Sequence, residues 1–211
     1  MTRCLHHQHV TPHTKESIDM GKIVISENVT IDGVVQDPTG DDGFAHGGWF
    51  NEIGDEDRQE WAEVETGEAQ RAEALLLGRR TYDYLVARWP QRTGVWADRL
   101  NSMPKYVVSS TLVDPGWTNS TVLTGDVVNE VTKLKERLDG EIVLNGSGHL
   151  ARTLIEHHLV DEMRLMVYPF VLGSGERLFP GTSDRTVMRL TGTRTVGHGL
   201  ALVTYDVVRA G

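Results

Sequence analysis

Three short stretches of this chain carry groups suited to gripping a phosphorylated ligand. In the first, the strand-like run Glu141–Leu144 leads into Asn145-Gly146-Ser147-Gly148 and then into a helical pattern through His149 and Leu150. Gly146, Gly148 and Ala151 fit the Gly-x-Gly-x-x-Gly/Ala spacing: small residues let the backbone approach phosphates, and the following helix offers free N–H groups and the positive end of its dipole. The same pattern fits an ordinary tight βα turn. It also departs from a standard Rossmann unit, because it follows a late strand and no acidic residue ends the next strand about 20 positions on. The second stretch is Leu75-Leu76-Leu77-Gly78-Arg79-Arg80-Thr81, a buried strand delivering two arginine forks and a hydroxyl to a helix start. Surface arginines beside a capped helix give the same pattern. The third, Ser109-Ser110-Thr111, places hydroxyls at a strand end, where open α/β sheets bind their ligands.

The elements around these stretches alternate. β-branched residues from Lys22 to Ile31 end at Asp32-Gly33, a turn signal, and a long Gly- and Asp-rich loop from Asp37 to Gly54 follows, carrying Phe44, His46, Trp49 and Phe50. Asp55–Arg71 is a plausible acidic helix with a weak apolar stripe, and its Asp/Glu run to Glu68 reads as a solvated face. Ala72–Leu77, Tyr106–Ser109, Val122-Leu123, Glu141–Leu144 and Met163–Tyr168 read as strands. Asp126–Leu138 is a clear helix, with Val127, Val128, Val131, Leu134 and Leu138 on one face and Lys133, Lys135, Glu136 and Arg137 outside it. A second clear helix carries Leu150, Ala151, Leu154, Ile155 and Leu159 inward. Val187–Val196 and Leu200–Val208 flank Gly197-His198-Gly199, a hairpin signal. Such alternation predicts an α/β fold with a mainly parallel sheet flanked by helices and a C-terminal antiparallel hairpin.

Composition narrows the function. The chain has 211 residues, 39% apolar and 24% charged, a globular profile, and its net charge of −9 argues against nucleic acid while leaving room for a small anionic ligand in a local basic pocket. A single cysteine, Cys4, allows no internal disulfide, and no apolar run reaches the ~18–20 residues needed to cross a membrane. Cytoplasm is the expected compartment. Residues 1–19 lack a periodic apolar pattern. Their His6, His7, His9 and His13 could hold a metal, but the segment reads as a disordered extension, with the folded domain spanning 20–211 and no metal site expected in it.

Taken in order, these motifs resemble the dihydrofolate-reductase-like group. The resemblance is closer to the reductase half of bifunctional riboflavin-biosynthesis enzymes (the RibD C-terminal domain) and its free-standing bacterial relatives. It runs from about Lys22 to Val208 through Asp32-Gly33, Gly47-Gly48-Trp49, Leu77-Gly78-Arg79-Arg80-Thr81-Tyr82, Pro104–Ser109, Asn145-Gly146-Ser147-Gly148, Val160-Asp161-Glu162, Pro169–Gly175 and Leu178-Phe179. The resemblance implies NADPH lying across the strand ends. Arg79, Arg80, Ser109 and Ser110 would meet its adenosine-side phosphates, including the 2′-phosphate, and Gly146, Ser147, Gly148, His149 and Leu150 would cover the pyrophosphate. It also implies hydride delivery to a pteridine, pyrimidine or aminouracil-type ring. Dihydrofolate reductases hold the pterin with a carboxylate on the first helix; Asp55, Glu56 and Glu60 are candidates here. Asp32, at a strand end, is the alternative catalytic carboxylate, or a plain Asp-Gly turn. Trp49 and Phe50 either stack on the substrate or plug the core. Relatives are commonly dimers. The zinc signature of the deaminase half, His-x-Glu…Pro-Cys-x-x-Cys, is missing, so the substrate can differ from the riboflavin intermediate. A ligand-binding module that kept the fold without turnover is the competing reading.

Overall fold

The computed structural model describes residues 20–181 and 185–209. Expectations for residues 1–19 lie outside this range. The described chain runs β1 (Lys22–Thr30), α1 (Asp55–Arg71), β2 (Ala72–Gly78), α2 (Arg79–Val86), α3 (Val95–Ser102), β3 (Lys105–Val108), β4 (Ser120–Leu123), α4 (Val127–Arg137), β5 (Glu141–Asn145), α5 (Gly148–Glu156), β6 (Glu162–Tyr168), β7 (Met188–Val196) and β8 (Leu200–Val207). One sheet holds all these strands in the order β4-β3-β2-β5-β1-β6-β8-β7. Pairing is parallel from β4 to β6, and β8 runs antiparallel to both β6 and β7. The expected mainly parallel sheet and terminal hairpin are both present. No helix among the described residues is long and apolar enough to cross a membrane.

β1 lies between β5 and β6, so both of its faces must be covered, and its apolar run satisfies both. Ile23 and Ile25 join Leu76, Ile142 and Leu144 against α4 and α5. Val24, Leu75, Leu77 and Val143 face the other way, toward Tyr82 of α2 and Leu100 of α3. A third cluster under the long loop joins Trp49, Ile53 and Val64 to Met166, Tyr168, Val196 and Leu200.

α1 forms where expected, yet it buries only Val64 and Glu68. So weak a stripe means that tertiary contacts hold the helix. Asp57 Oδ1 accepts from the His198 and Gly199 N–H groups at the hairpin tip, and a Cβ on Gly197, whose φ is +60°, would come within 2.1 Å of Asp57 Oδ1. α4 is capped by Asp126, which accepts from the Asn129 N–H. Lys135, expected outside the apolar face, is instead 4% exposed. Its Nζ donates to the Leu159 carbonyl and pairs with Asp161, because α4 crosses the α5–β6 connection at that point. α3 had no signal in the sequence: it spans eight residues and buries only Ala97 and Leu100, too few to mark a period.

Candidate active site

The glycine turn after β5 and the arginine turn after β2 are knitted together by two hydroxyls. Ser147 Oγ accepts from the Gly78 N–H at 2.9 Å and lies 3.0 Å from Thr81 Oγ1, which donates to the Gly146 carbonyl at 2.7 Å. Gly146 has φ +64°, and a Cβ there would meet Thr81 Cγ2 at 3.3 Å, so this position suits glycine on both counts. Ser147 reaches back to β2 and α5 receives no side-chain cap, so its first-turn N–H groups are left without intrahelical partners. Such an end suits an anion.

The arginines stand beside this turn. Arg79 Nε bonds both carboxylate oxygens of Asp83 at 2.8 Å, and its Nη1 lies 3.5 Å from Thr111 Oγ1, which links the ends of β2 and β3. The Arg80 side chain is 77% exposed and touches Asp42 of the long loop at 3.4 Å. Ser109 Oγ accepts from the N–H groups of Thr111 and Leu112, while Ser110 is exposed. The phosphate-gripping candidates therefore share one edge. Leu150 buries its side chain in the core, leaving only its backbone for a ligand, and His149 is exposed beside Arg152 and Glu176.

Next to the glycine turn the sheet opens. The β1–β5 ladder stops at Ser26–Asn145, whereas β1 continues against β6 as far as Thr30–Tyr168. Beyond Ser26 the β5-facing edge of β1 has no strand beside it among the described residues. Carboxyl groups line this region. Glu27 is 6% exposed and faces the Gly146 and Ser147 backbone, and burial pushes it up to about 8. Glu65 of α1 is pushed up to about 8 by burial and by the charges of Glu68 and Glu27. Glu68 is raised by burial too, but Ser26 Oγ donates to it at 2.7 Å and Arg164 lies 3.8 Å away. Burial and the Glu65 charge raise the Tyr168 hydroxyl, which has no hydrogen-bond partner among the described residues. Glu65, Glu68, Trp96 and Asn145 line a small cavity of about 50 Å³ under α1. A larger hollow of about 290 Å³ lies along β1 and β6, lined mainly by apolar groups such as Val29, Leu165, Val167 and Phe179. Away from Asp32 and Arg177 it offers little for ionic chemistry, so the smaller cavity with its acids is the better candidate for the reacting group.

A family model for the RibD C-terminal domain matches residues 21–202. The chain belongs to the RibD C-terminal domain family. The uncharacterized Bacillus subtilis protein YyaP is 31% identical over 139 residues, covering 63% of this chain and 73% of YyaP. Among solved structures, a protein from Shewanella sp. PV-4 named for riboflavin biosynthesis superposes with a TM-score of 0.70 at 21% identity, over 89% of this chain and 99% of that one. The riboflavin biosynthesis reductase Rib7 of Saccharomyces cerevisiae gives a TM-score of 0.58 at 10% identity, covering 93% of each chain. Dihydrofolate reductase from Enterococcus faecalis, in complex with NADP(H), gives 0.52 at 15%, over 89% of this chain and 97% of that one. These likenesses establish the dihydrofolate-reductase-like fold.

Within this RibD C-terminal domain chain, several expected site residues turn out to have other partners. Asp32 accepts from Thr30 Oγ1 at 2.7 Å and from the N–H groups of Leu172 and Gly173 at 3.2 and 2.8 Å. The Thr30 bond, foremost, holds its carboxyl below the usual range, so it clasps the Gly173-Ser174-Gly175 turn as an ion and is poorly suited to giving up a proton. Trp49 is 1% exposed, stands edge-on to Tyr168 and donates to the Gln36 carbonyl, which leaves no face for a ring. Phe50 is half-buried against Trp61 and Tyr168. Asp55 stands exposed at the start of α1, apart from the cavity lining. The acids that line the small cavity, Glu65 and Glu68, and the one beneath the glycine turn, Glu27, carried no site expectation from the sequence. A signal existed for Glu27, a charge inside an otherwise buried strand. The reading of Asp55–Glu68 as a solvated face fails at Glu68, which is 5% exposed.

Proposed function

We propose that this protein is an NADPH-dependent reductase delivering hydride to a small heterocycle of the pyrimidine, aminouracil or pteridine kind. The observation that carries this reading is the uncapped start of α5, held by Ser147 and Thr81 beside the arginine turn, at the mouth of a cleft lined by neutral-leaning carboxyls. The left-handed φ and the closeness of Thr81 call for glycine at 146, and the uncapped α5 start that follows suits a pyrophosphate. Arg79, Arg80, Ser109 and Ser110 would hold the adenosine-side phosphates, including the 2′-phosphate, and the backbone of Gly146 to Leu150 the pyrophosphate. When bound, the dinucleotide supplies the hydride.

The remaining work falls to the chain. The cavity of about 50 Å³ admits a water or two but no ring, so the substrate ring would sit at its mouth with a polar edge turned inward. Glu65, kept largely protonated near neutrality by its surroundings, is the group we assign to that edge. A carboxylic acid there donates a hydrogen bond to a ring nitrogen or carbonyl, and can release its proton to the nitrogen as the neighbouring carbon accepts hydride. α1, α2 and α3 exclude water around it. The test is turnover: NADPH absorbance should fall with at least one member of a panel of pyrimidines, aminouracils and pteridines, and Glu65→Gln should slow it at least tenfold while NADPH still binds. NADPH binding without turnover on any of the panel would favour a binding module.

A further inference from the structure

Glu27 is a carboxyl group in a place where a purely structural role costs much. Its neighbours Ser26 and Asn28 bond to Glu68 and Trp61 of α1, so strand alternation turns Glu27 to the opposite face, beneath α5. Its register partner is Leu165 of β6, one position past the last β1–β5 pair. There its carboxyl meets the Gly146 and Ser147 backbone from below, and Oε1 is buried with no partner among the described residues. The charges nearby are engaged elsewhere. Arg164 of β6 binds Glu162 and Glu141, and Arg152 and His149 of α5 turn to Glu176. Asp32 at the end of β1 is clasped by Thr30 and the 172–173 backbone. From α1, on the other face of the sheet, the acid Glu65 feels the Glu27 charge. No cation among the described residues compensates Glu27, so burial favours its neutral form.

We propose that Glu27 is a proton-binding positioning residue for the dinucleotide: protonated, it supports the Gly146–Ser147 turn from beneath while the pyrophosphate lies on the outer side, and its ionisation expels the cofactor. The inference rests on the reading that the pyrophosphate occupies this turn. A carboxylate and a pyrophosphate on two sides of one peptide turn repel at short range, with little water or salt between them to screen the charge. Burial, partly offset by hydrogen bonds from the Gly146 and Ser147 backbone, already brings Glu27 up to about 8, and a phosphate above it would raise the group further. Cofactor binding then takes up a proton on the alkaline side of neutrality.

Calorimetric titration of the full chain with NADPH tests this. The wild type should bind at pH 7, lose at least tenfold in affinity by about pH 9.5, and take up a proton near pH 8, read from the change in heat between buffers of different ionisation enthalpy. The 2′-phosphate monoester of the cofactor titrates near pH ~6 and the pyrophosphate diester at far lower pH, so both are ionised throughout this window. Glu27→Gln, a neutral isostere, should hold its affinity within about threefold from pH 7 to 9.5, although Glu65 and Lys105 still titrate in it. An equal alkaline decline in Glu27→Gln, or a wild-type affinity that does not change with pH, overturns the proposal and leaves the site reading standing. If Glu27→Gln does not fold, the wild type decides: 2′-phospho-ADP-ribose, which lacks the nicotinamide, must show the same proton uptake, and its absence overturns the proposal. Failure of the wild type to bind NADPH at pH 7 overturns the site reading and the proposal with it.

Discussion

Ser147 and Thr81 belong to turns 66 residues apart in sequence, yet their hydroxyls lie 3.0 Å from each other and tie the ends of β5 and β2 into one surface. Through this pair the Gly78 N–H and the Gly146 carbonyl both find partners. The two turns behave as one unit, and a change in either should be felt at both.

Ser147→Ala should therefore act twice. It strands the part-buried Gly78 N–H, costing about 1–3 kcal/mol of stability. It should also loosen the arginine turn enough to weaken NADPH binding several-fold. A thermal melt and a fluorescence titration on the one variant check both effects.

The glycines of the turn should separate. Gly146→Ala carries a left-handed φ and a 3.3 Å approach to Thr81, so it should lose about 1–2 kcal/mol of stability before any ligand is considered. Gly148 has only ordinary contacts at 3.7 and 3.8 Å, so Gly148→Ala should melt like the wild type. Weakened NADPH binding in a stable Gly148→Ala protein, tenfold or about 1.4 kcal/mol, would locate the cofactor at the start of α5.

Stability should fall as pH rises from about 4.5 to about 8. Folding raises Glu27 from 4.5 to about 8, so between those values the native state holds a proton that the unfolded chain has released. Stability is then lost as pH climbs through that window and is unaffected by this group below it. The melting temperature of Glu27→Gln relative to wild type should rise from near zero difference at pH 4.5 to a gain of at least about 4 °C at pH 8.5. A constant difference across that range would contradict the burial argument.

Lys105 offers a stability test away from the site. It is fully buried, its Nζ donates to the carbonyls of Leu100 and Met103 at 2.6 and 2.7 Å, and it lies 4.5 Å from the Trp117 ring centroid. Lys105→Met would leave those carbonyls unpartnered and should cost at least about 2 kcal/mol in a denaturant melt, with NADPH affinity little changed.

Much of the fold was legible because its strands and its helices α4 and α5 are regular: the apolar face of α4 and the apolar run 74–77 of β2 each specify an element without help from neighbours. The turns were legible as well, since glycine, arginine and hydroxyl residues stand at strand ends where few other roles exist. The acids of the cleft were not. Glu65 and Glu68 sit in a run of carboxylates that looks like any solvated helix, and only the approach of Ser26 and Arg164 from the sheet shows which of them are buried. Lys135 misled, and Trp49 stayed open between substrate and core, for a related reason. Whether a long side chain snorkels outward or turns in toward a carbonyl, and whether a ring faces a ligand or the core, depends on contacts distant in sequence, 24 positions for Lys135 with Leu159 and more than a hundred for Trp49 with Tyr168.

The central claim is that phosphates of NADPH are held at the ends of β2, β3 and β5. Titrating wild type and an Arg79→Ala/Arg80→Ala variant with NADPH and with NADH tests it most directly. Each lost charge-assisted phosphate contact should cost about 1.5–3 kcal/mol, so the wild type should prefer NADPH by more than tenfold and the double variant should lose that preference while keeping its affinity for NADH. Equal affinity of the wild type for the two dinucleotides would contradict the account.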